Sequence, residues 1–175
     1  MRRVRGSGLF LWAVVCGLAM STAIADELSV VEASDLSVDA RLVESRRIPL
    51  LLLFSREDCG YCELLKRAVI IPMILSGEYD NRVIIREIFI DRPSPLVDFA
   101  GREVSPFAIA NRYDAFLTPA VLLVGPAGAE LGERLLGISN EDMYLFYLDQ
   151  AISAATGRLH QRAEGSRDEP LDQSR

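Results

Sequence analysis

Histidine and tryptophan each occur once in this chain, and cysteine three times. The only imidazole, His160, stands near the C-terminus. A structural zinc site, which needs four ligands, therefore lacks them, and Cys–His hydrolase chemistry lacks its base. Positive charge is in deficit: 19 Lys and Arg stand against 25 Asp and Glu, a formal net charge of -6. That balance gives no electrostatic basis for binding nucleic acid or an anionic membrane. Beyond the N-terminus no apolar run is long enough to cross a bilayer, and there is no internal repeat.

The N-terminus itself reads as an export signal. Arg2, Arg3 and Arg5 form a basic head, Leu9 to Met20 an apolar run of twelve, and Ala23-Ile24-Ala25 a cleavage signal before Asp26-Glu27. The run is short for a membrane span, so residues 1–25 are expected to be a secretory signal peptide cleaved near Ala25, leaving a periplasmic or otherwise exported protein. An uncleaved anchor is the competing reading. Lipidation of Cys16 is disfavoured by Val15, where a small residue would be wanted. Cleavage removes three arginines and no acid, which takes the charge from -6 to -9. Cys16 and Trp12 leave as well, so Cys59 and Cys62 remain as the only cysteines. The remaining chain is long enough for one domain with a real core, so the pair is free for chemistry rather than needed as a staple.

Residues 26–34 form a linker or an edge strand. Asp35 to Arg47 reads as a helix, capped by Ser34 or Asp35, with Leu36, Leu42 and Val43 as its apolar stripe. Ile48 to Phe54 is a continuous apolar run, the mark of a strand buried on both faces, and Pro49 suits only its beginning. A helix opens near Cys59, with Tyr61, Leu64, Leu65, Ala68 and Val69 on one stripe and Glu63, Lys66 and Arg67 away from it. Pro72 is expected to kink or break it. Arg82 to Asp91 is the second strand, Arg92 to Val104 a surface loop, and Ser105-Pro106 the start of a helix to about Tyr113. Pro119 to Val124, a turn at Gly125 to Gly128, and Ala129 to Leu136 form a hairpin. The last helix starts at a Ser139/Asp142 capping box and runs to about Thr156, with Gly157 after it. Residues 158–175 are expected to be a disordered tail. Two βαβ crossovers predict parallel pairing, with the hairpin adding one antiparallel strand. The fold class is α/β: a mixed four-stranded sheet with helices on both faces.

The chemistry concentrates at Cys59-Gly60-Tyr61-Cys62. Two cysteines at this spacing close a small disulfide ring, and the first sits where free backbone N–H groups and the helix dipole favour a thiolate. Glu57 and Asp58 oppose that by raising the Cys59 pKa, and Arg56 offsets them, which argues against an extreme oxidant. A structural disulfide or half a zinc site is the plain alternative.

CGYC after a buried strand, followed by Thr118-Pro119 at the head of the third strand, resembles the thioredoxin superfamily over roughly residues 35–157. The resemblance implies a thioredoxin-like fold with Cys59 as exposed nucleophile, Cys62 as buried resolving thiol, Pro119 as a cis residue and Thr118 lining the substrate groove. Tyr61 either touches substrate or is half-buried beside Cys62. The chain departs from typical thioredoxins before Cys59, where it has Asp58 instead of tryptophan. It also departs at Leu53, where the family carries a buried aspartate as proton acceptor. Glu87, where the family often has a lysine, is the candidate replacement; a solvent-facing carboxylate or a partner for Arg86 is the alternative. The Gly-Tyr dipeptide and the Thr-Pro step are similar to bacterial periplasmic disulfide isomerases, but residues 26–47 are too short for their dimerisation domain. The stretch from Val69 to Tyr79 looks more like the single-domain exported thioredoxins of sulfur-oxidation and cytochrome-maturation systems.

The resemblance thus implies a monomeric thiol–disulfide oxidoreductase acting on protein thiols and disulfides, more as a reductase than an isomerase. It would use no cofactor and no metal, and a redox-recycling partner such as a membrane thiol reductase. A copper-delivery role would want a well-placed histidine, which is missing. A non-catalytic binding module or chaperone with a permanently oxidised pair is the reading from another class.

Overall fold

The computed structural model describes residues 29–165. The signal peptide expected over 1–25, residues 26–28 of the linker and residues 166–175 of the tail lie outside the described residues. Helix α1 (Leu36–Arg46) is capped by the Asp35 carboxylate, which accepts from the N–H groups of Ser37 and Val38. It leads into strand β1 (Leu50–Ser55), in which every residue is buried. A six-residue strand with no exposed face must be covered on both sides, and that is why its sequence does not alternate.

Helix α2 (Gly60–Leu65) runs without interruption into a π-helical turn over Lys66–Ile70 and then α3 (Ile71–Ser76). Pro72 neither breaks the helix nor ends it. It occupies the first turn of α3, where its missing N–H is tolerated, and the widened turn before it bonds Ile71 N–H to the Lys66 carbonyl. Strand β2 (Ile84–Phe89) follows and pairs with β1 in parallel.

The stretch expected as a plain surface loop holds two short strands, β3 (Leu96–Val97) and β4 (Glu103–Val104). Asp98 organises their turn. Its buried carboxylate accepts from the N–H groups of Ala100 and Arg102 and from the Arg102 guanidinium. Four donors on one carboxylate give this polar segment the order that its composition does not suggest. Helix α4 (Pro106–Arg112), capped by Ser105, strand β5 (Ala120–Val124) and strand β6 (Leu135–Leu136) come next.

The sheet order is β2-β1-β5-β6, four strands with helices packed on them. The second crossover is not parallel: β5 runs antiparallel to β1, with Phe54 beside Ala120 and Leu50 beside Val124. The chain that leaves β2 re-enters the sheet at the end where β1 and β2 finish. Only the first βαβ unit carries the parallel pairing that element order alone suggested. β6 is shorter than expected, because only Leu135 and Leu136 pair with β5, apart from an isolated bridge between Val124 and Glu130. Residues 31–33 run beside the outer edge of β2, exchanging backbone hydrogen bonds with Glu87.

Helix α5 spans Glu141–Gly165, so the expected end at Gly157 is corrected, and residues 158–165 are helical rather than disordered. The reason is packing. Tyr144, Leu148, Ile152, Ala155 and Leu159 form one buried stripe that continues past the glycine. Arg158 also donates to the Leu131 carbonyl. A glycine inside a helix costs about 1 kcal/mol, and burial of Leu159 offsets that. His160 lies on this helix, 3.0 Å from the Arg47 carbonyl, at the end of the sheet where β1 begins. Among the described residues no helix is long and apolar enough to cross a membrane.

Candidate functional site

Cys59 is the N-cap of α2, and its sulfur is bonded to that of Cys62 with an S–S distance of 2.04 Å. The Cys62 N–H points at the Cys59 sulfur from 3.2 Å. When the pair is reduced, a thiolate at this position meets the free N–H groups of the first helical turn. The two sulfurs differ in access: Cys59 is half-buried and Cys62 is wholly buried. Of the pair, Cys59 is therefore the residue open to solvent.

The antiparallel register of β5 decides what faces the pair. Cys59 follows the end of β1, and Thr118 and Pro119 precede the start of β5, so both lie at the same end of the sheet. The Thr118–Pro119 bond is cis, and the Thr118 hydroxyl is 3.6 Å from the Cys59 sulfur. Had β5 been parallel to β1, as element order suggested, Pro119 would stand at the far end. Tyr61, left open between substrate contact and half-burial, is exposed at 66%. Leu117 is exposed beside the Thr-Pro step.

Glu87 is buried, at 2% exposure. Its carboxylate accepts from the Ser55 hydroxyl at 2.6 Å and lies 3.1 Å from the Lys66 ammonium. Arg86 is not its partner. Successive strand residues face opposite sides, and Arg86 pairs with the buried Asp39 of α1 at 2.8 Å. Burial pushes the Asp39 carboxyl up from its usual range, and Arg86 only partly offsets this.

Lys66 was expected on the exposed side of its helix, yet it is only 12% exposed. Its aliphatic stem is covered and its ammonium reaches both Glu87 and Glu63, the latter at 2.6 Å. Burial alone would lower the Lys66 pKa, but the bonds to Glu63 and Glu87 outweigh it and hold the ammonium above the usual lysine value. Lys66 and Ser55 are thus site-end residues that sequence reasoning missed. The available signal was spacing: Lys66 stands one helical turn after Cys62, and Ser55 is the one polar residue of an apolar strand.

The polar step before Cys59 is pinned from the loop after β2. The Asp91 carboxylate accepts the Glu57 N–H at 3.3 Å. Arg92 bonds the Glu57 carboxylate at 3.0 Å and the Glu32 carboxylate at 2.6 Å. Its guanidinium lies over the Phe89 ring, 3.7 Å from the centroid. Among the described residues no group of three or more His, Cys, Asp or Glu side chains is placed to hold a metal ion.

A half-exposed disulfide at a helix mouth, opposite a cis-proline turn in a β2-β1-β5-β6 sheet, defines a thioredoxin-fold thiol–disulfide oxidoreductase. Comparison with known families agrees: the model of the thioredoxin-like domain matches residues 36–152, and the chain belongs to that family. No curated protein matches the sequence. Among solved structures, the DsbH oxidoreductase is similar at 12% identity with a TM-score of 0.54, covering 78% of this chain and 93% of that one. At that identity the likeness concerns the fold. The periplasmic thioredoxin SoxS from Paracoccus pantotrophus is 25% identical with a TM-score of 0.41, covering 61% of this chain and 98% of its own. Mitochondrial thioredoxin 3 from Saccharomyces cerevisiae is 18% identical with a TM-score of 0.48, covering 71% and 93%.

Proposed function

We propose that the chain is an exported reductase of protein disulfides, with Cys59 as nucleophile and Cys62 as resolving thiol. The observation that carries this reading is the difference in access between the two sulfurs, with the half-buried one at the helix mouth beside Thr118. The Cys59 thiolate attacks one sulfur of a substrate disulfide. That bond breaks, one substrate thiolate leaves, and a mixed disulfide joins Cys59 to the other. Cys62, having given up its proton, then attacks the Cys59 sulfur, which releases the second substrate thiol and closes the Cys59–Cys62 bond. A dithiol partner, such as a membrane thiol reductase, returns the pair to the reduced state by the same exchange.

Thr118 and Pro119 present the edge against which an extended substrate lies, and Tyr61 contacts it. Glu87 receives the Cys62 proton. Its burial supports this role, and the Lys66 ammonium lies 3.1 Å from the carboxylate. The layout of residues 1–25 supports export. Disulfide isomerisation uses the same two sulfurs and is the close alternative, as the CGYC and Thr-Pro steps suggest. A binding module or chaperone would leave the pair permanently oxidised.

The assignment is tested by trapping. Cys62→Ser should accumulate a mixed disulfide with substrate through Cys59, and Cys59→Ser should abolish insulin-disulfide reduction. Trapping only through Cys62, or a Cys59→Ser variant as active as wild type, would overturn it. For Glu87, Glu87→Gln should slow release of the mixed disulfide by about 100-fold near neutral pH, the usual scale for removing a positioned base. The deficit should shrink as the pH rises toward the thiol range, where Cys62 ionises unaided. An unchanged release rate across pH would remove Glu87 from the mechanism. For export, the mass of the protein recovered outside the cytoplasm should correspond to a chain starting at Asp26. An intact Met1 would contradict cleavage.

A further inference from the structure

The three residues before the cysteine pair carry an unusual load. Arg56, Glu57 and Asp58 lead directly into Cys59, and two carboxylates so close to a sulfur work against a thiolate there. Glu57 is the one whose charge has been dealt with. Its carboxylate is held at 3.0 Å by Arg92, and its backbone N–H is held by Asp91. Arg92 is itself anchored twice more, by Glu32 at 2.6 Å and by the Phe89 ring beneath it. A guanidinium with three anchors stays in place, whereas an isolated surface pair exchanges with solvent.

We propose that Arg92 is a positioning residue for the redox pair: by holding the Glu57 carboxylate against the end of β2, it keeps that charge from acting on the Cys59 sulfur. The claim rests on Cys59 being the attacking sulfur only for its functional meaning; the electrostatic effect on Cys59 exists whichever sulfur attacks.

Other charged groups near Cys59 set the background. On its own stretch these are Arg56, Asp58 and Glu63, and Glu63 is paired with Lys66. From the loop after β2 they are Asp91 and Arg92. From the segment before Pro119, residues 115–118 carry no charge, and Asp114 is the nearest charged residue in the chain. Lys66 also reaches the buried Glu87, so without Arg92 only Arg56 would remain to offset Glu57 and Asp58. Glu57 is 60% exposed, so solvent and salt screen part of the effect.

The test is a cycle of variants in the Cys62→Ser background of the full chain, which leaves Cys59 as the single thiol of the pair. The pH dependence of Cys59 alkylation is read by mass spectrometry of its peptide. Arg92→Gln should raise the Cys59 pKa by about half a unit, the size expected for one nearby charge unmasked in a mostly aqueous setting. The rise should shrink at high salt. Glu57→Gln together with Arg92→Gln should return the value to that of Glu57→Gln alone. Arg92→Lys, which keeps the charge but loses the planar fork, should give a smaller rise. In the chain with Cys62 restored, Arg92→Gln should shift the equilibrium with glutathione toward the disulfide form.

A Cys59 pKa unmoved in Arg92→Gln and in Arg92→Lys, both shown to fold by their melting curves, would overturn the proposal. So would an equal rise in the double variant, which would place Arg92 in direct action on the sulfur rather than through Glu57. Failure of the nucleophile assignment reads differently: trapping would then run through Cys62 while the Cys59 pKa still responded to Arg92.

Discussion

The arrangement depends first on the antiparallel pairing of β1 with β5. β1 delivers the chain to the mouth of α2, where Cys59 stands. Only a strand entering the sheet at that same end brings Pro119 and the Thr118 hydroxyl up against it. The pairing is held by two strands that are buried along their whole length, Leu50–Ser55 and Ala120–Val124. A side chain fully buried in such a layer contributes about 1.5–3 kcal/mol by area alone. Register is therefore fixed by the core, and the core sets the distance between the sulfur and the proline turn. A slip of two residues would keep every side chain on its own face and still carry the turn away from the cysteine.

Around this frame the molecule handles ionisable groups in two different ways. Deep in the sheet, Glu87 is satisfied by Ser55 and Lys66, and Asp39 by Arg86, one pair on each face of β2. Such pairs give little net stability, because desolvation consumes most of the Coulomb gain. Losing one partner, however, would strand a charge. At the surface, the Glu57 carboxylate before Cys59 is held by Arg92, and its backbone N–H by Asp91. Both devices grow from β2 and the loop that follows it, a part of the chain that contributes no cysteine.

Much of this was legible in the residues. The unbroken run at Leu50 to Phe54 announced a strand buried on both faces, and CGYC after it announced a helix opening on a sulfur pair. Thr118-Pro119 was found by resemblance, since nothing in its local pattern separates it from any other X–Pro step. What sequence missed was long-range. The direction of β5 is set by how the 92–118 segment returns, and the donors gathered by Asp98 make that segment far more ordered than its prolines and charges imply. Lys66 reads as an exposed lysine because its partner, Glu87, lies on another element. Gly157 reads as a helix end because the local penalty is visible, while the burial of Leu159 is not.

The account stands on the pair being a working redox couple rather than a fixed staple, and a redox titration of the folded protein addresses that most directly. The protein is equilibrated with graded dithiol and disulfide buffers, and its thiols are then alkylated and weighed. Cys59 and Cys62 should become free together, as one two-electron couple, while the circular dichroism of the fold is unchanged. If the bond between them yields only when the chain unfolds, the account is wrong.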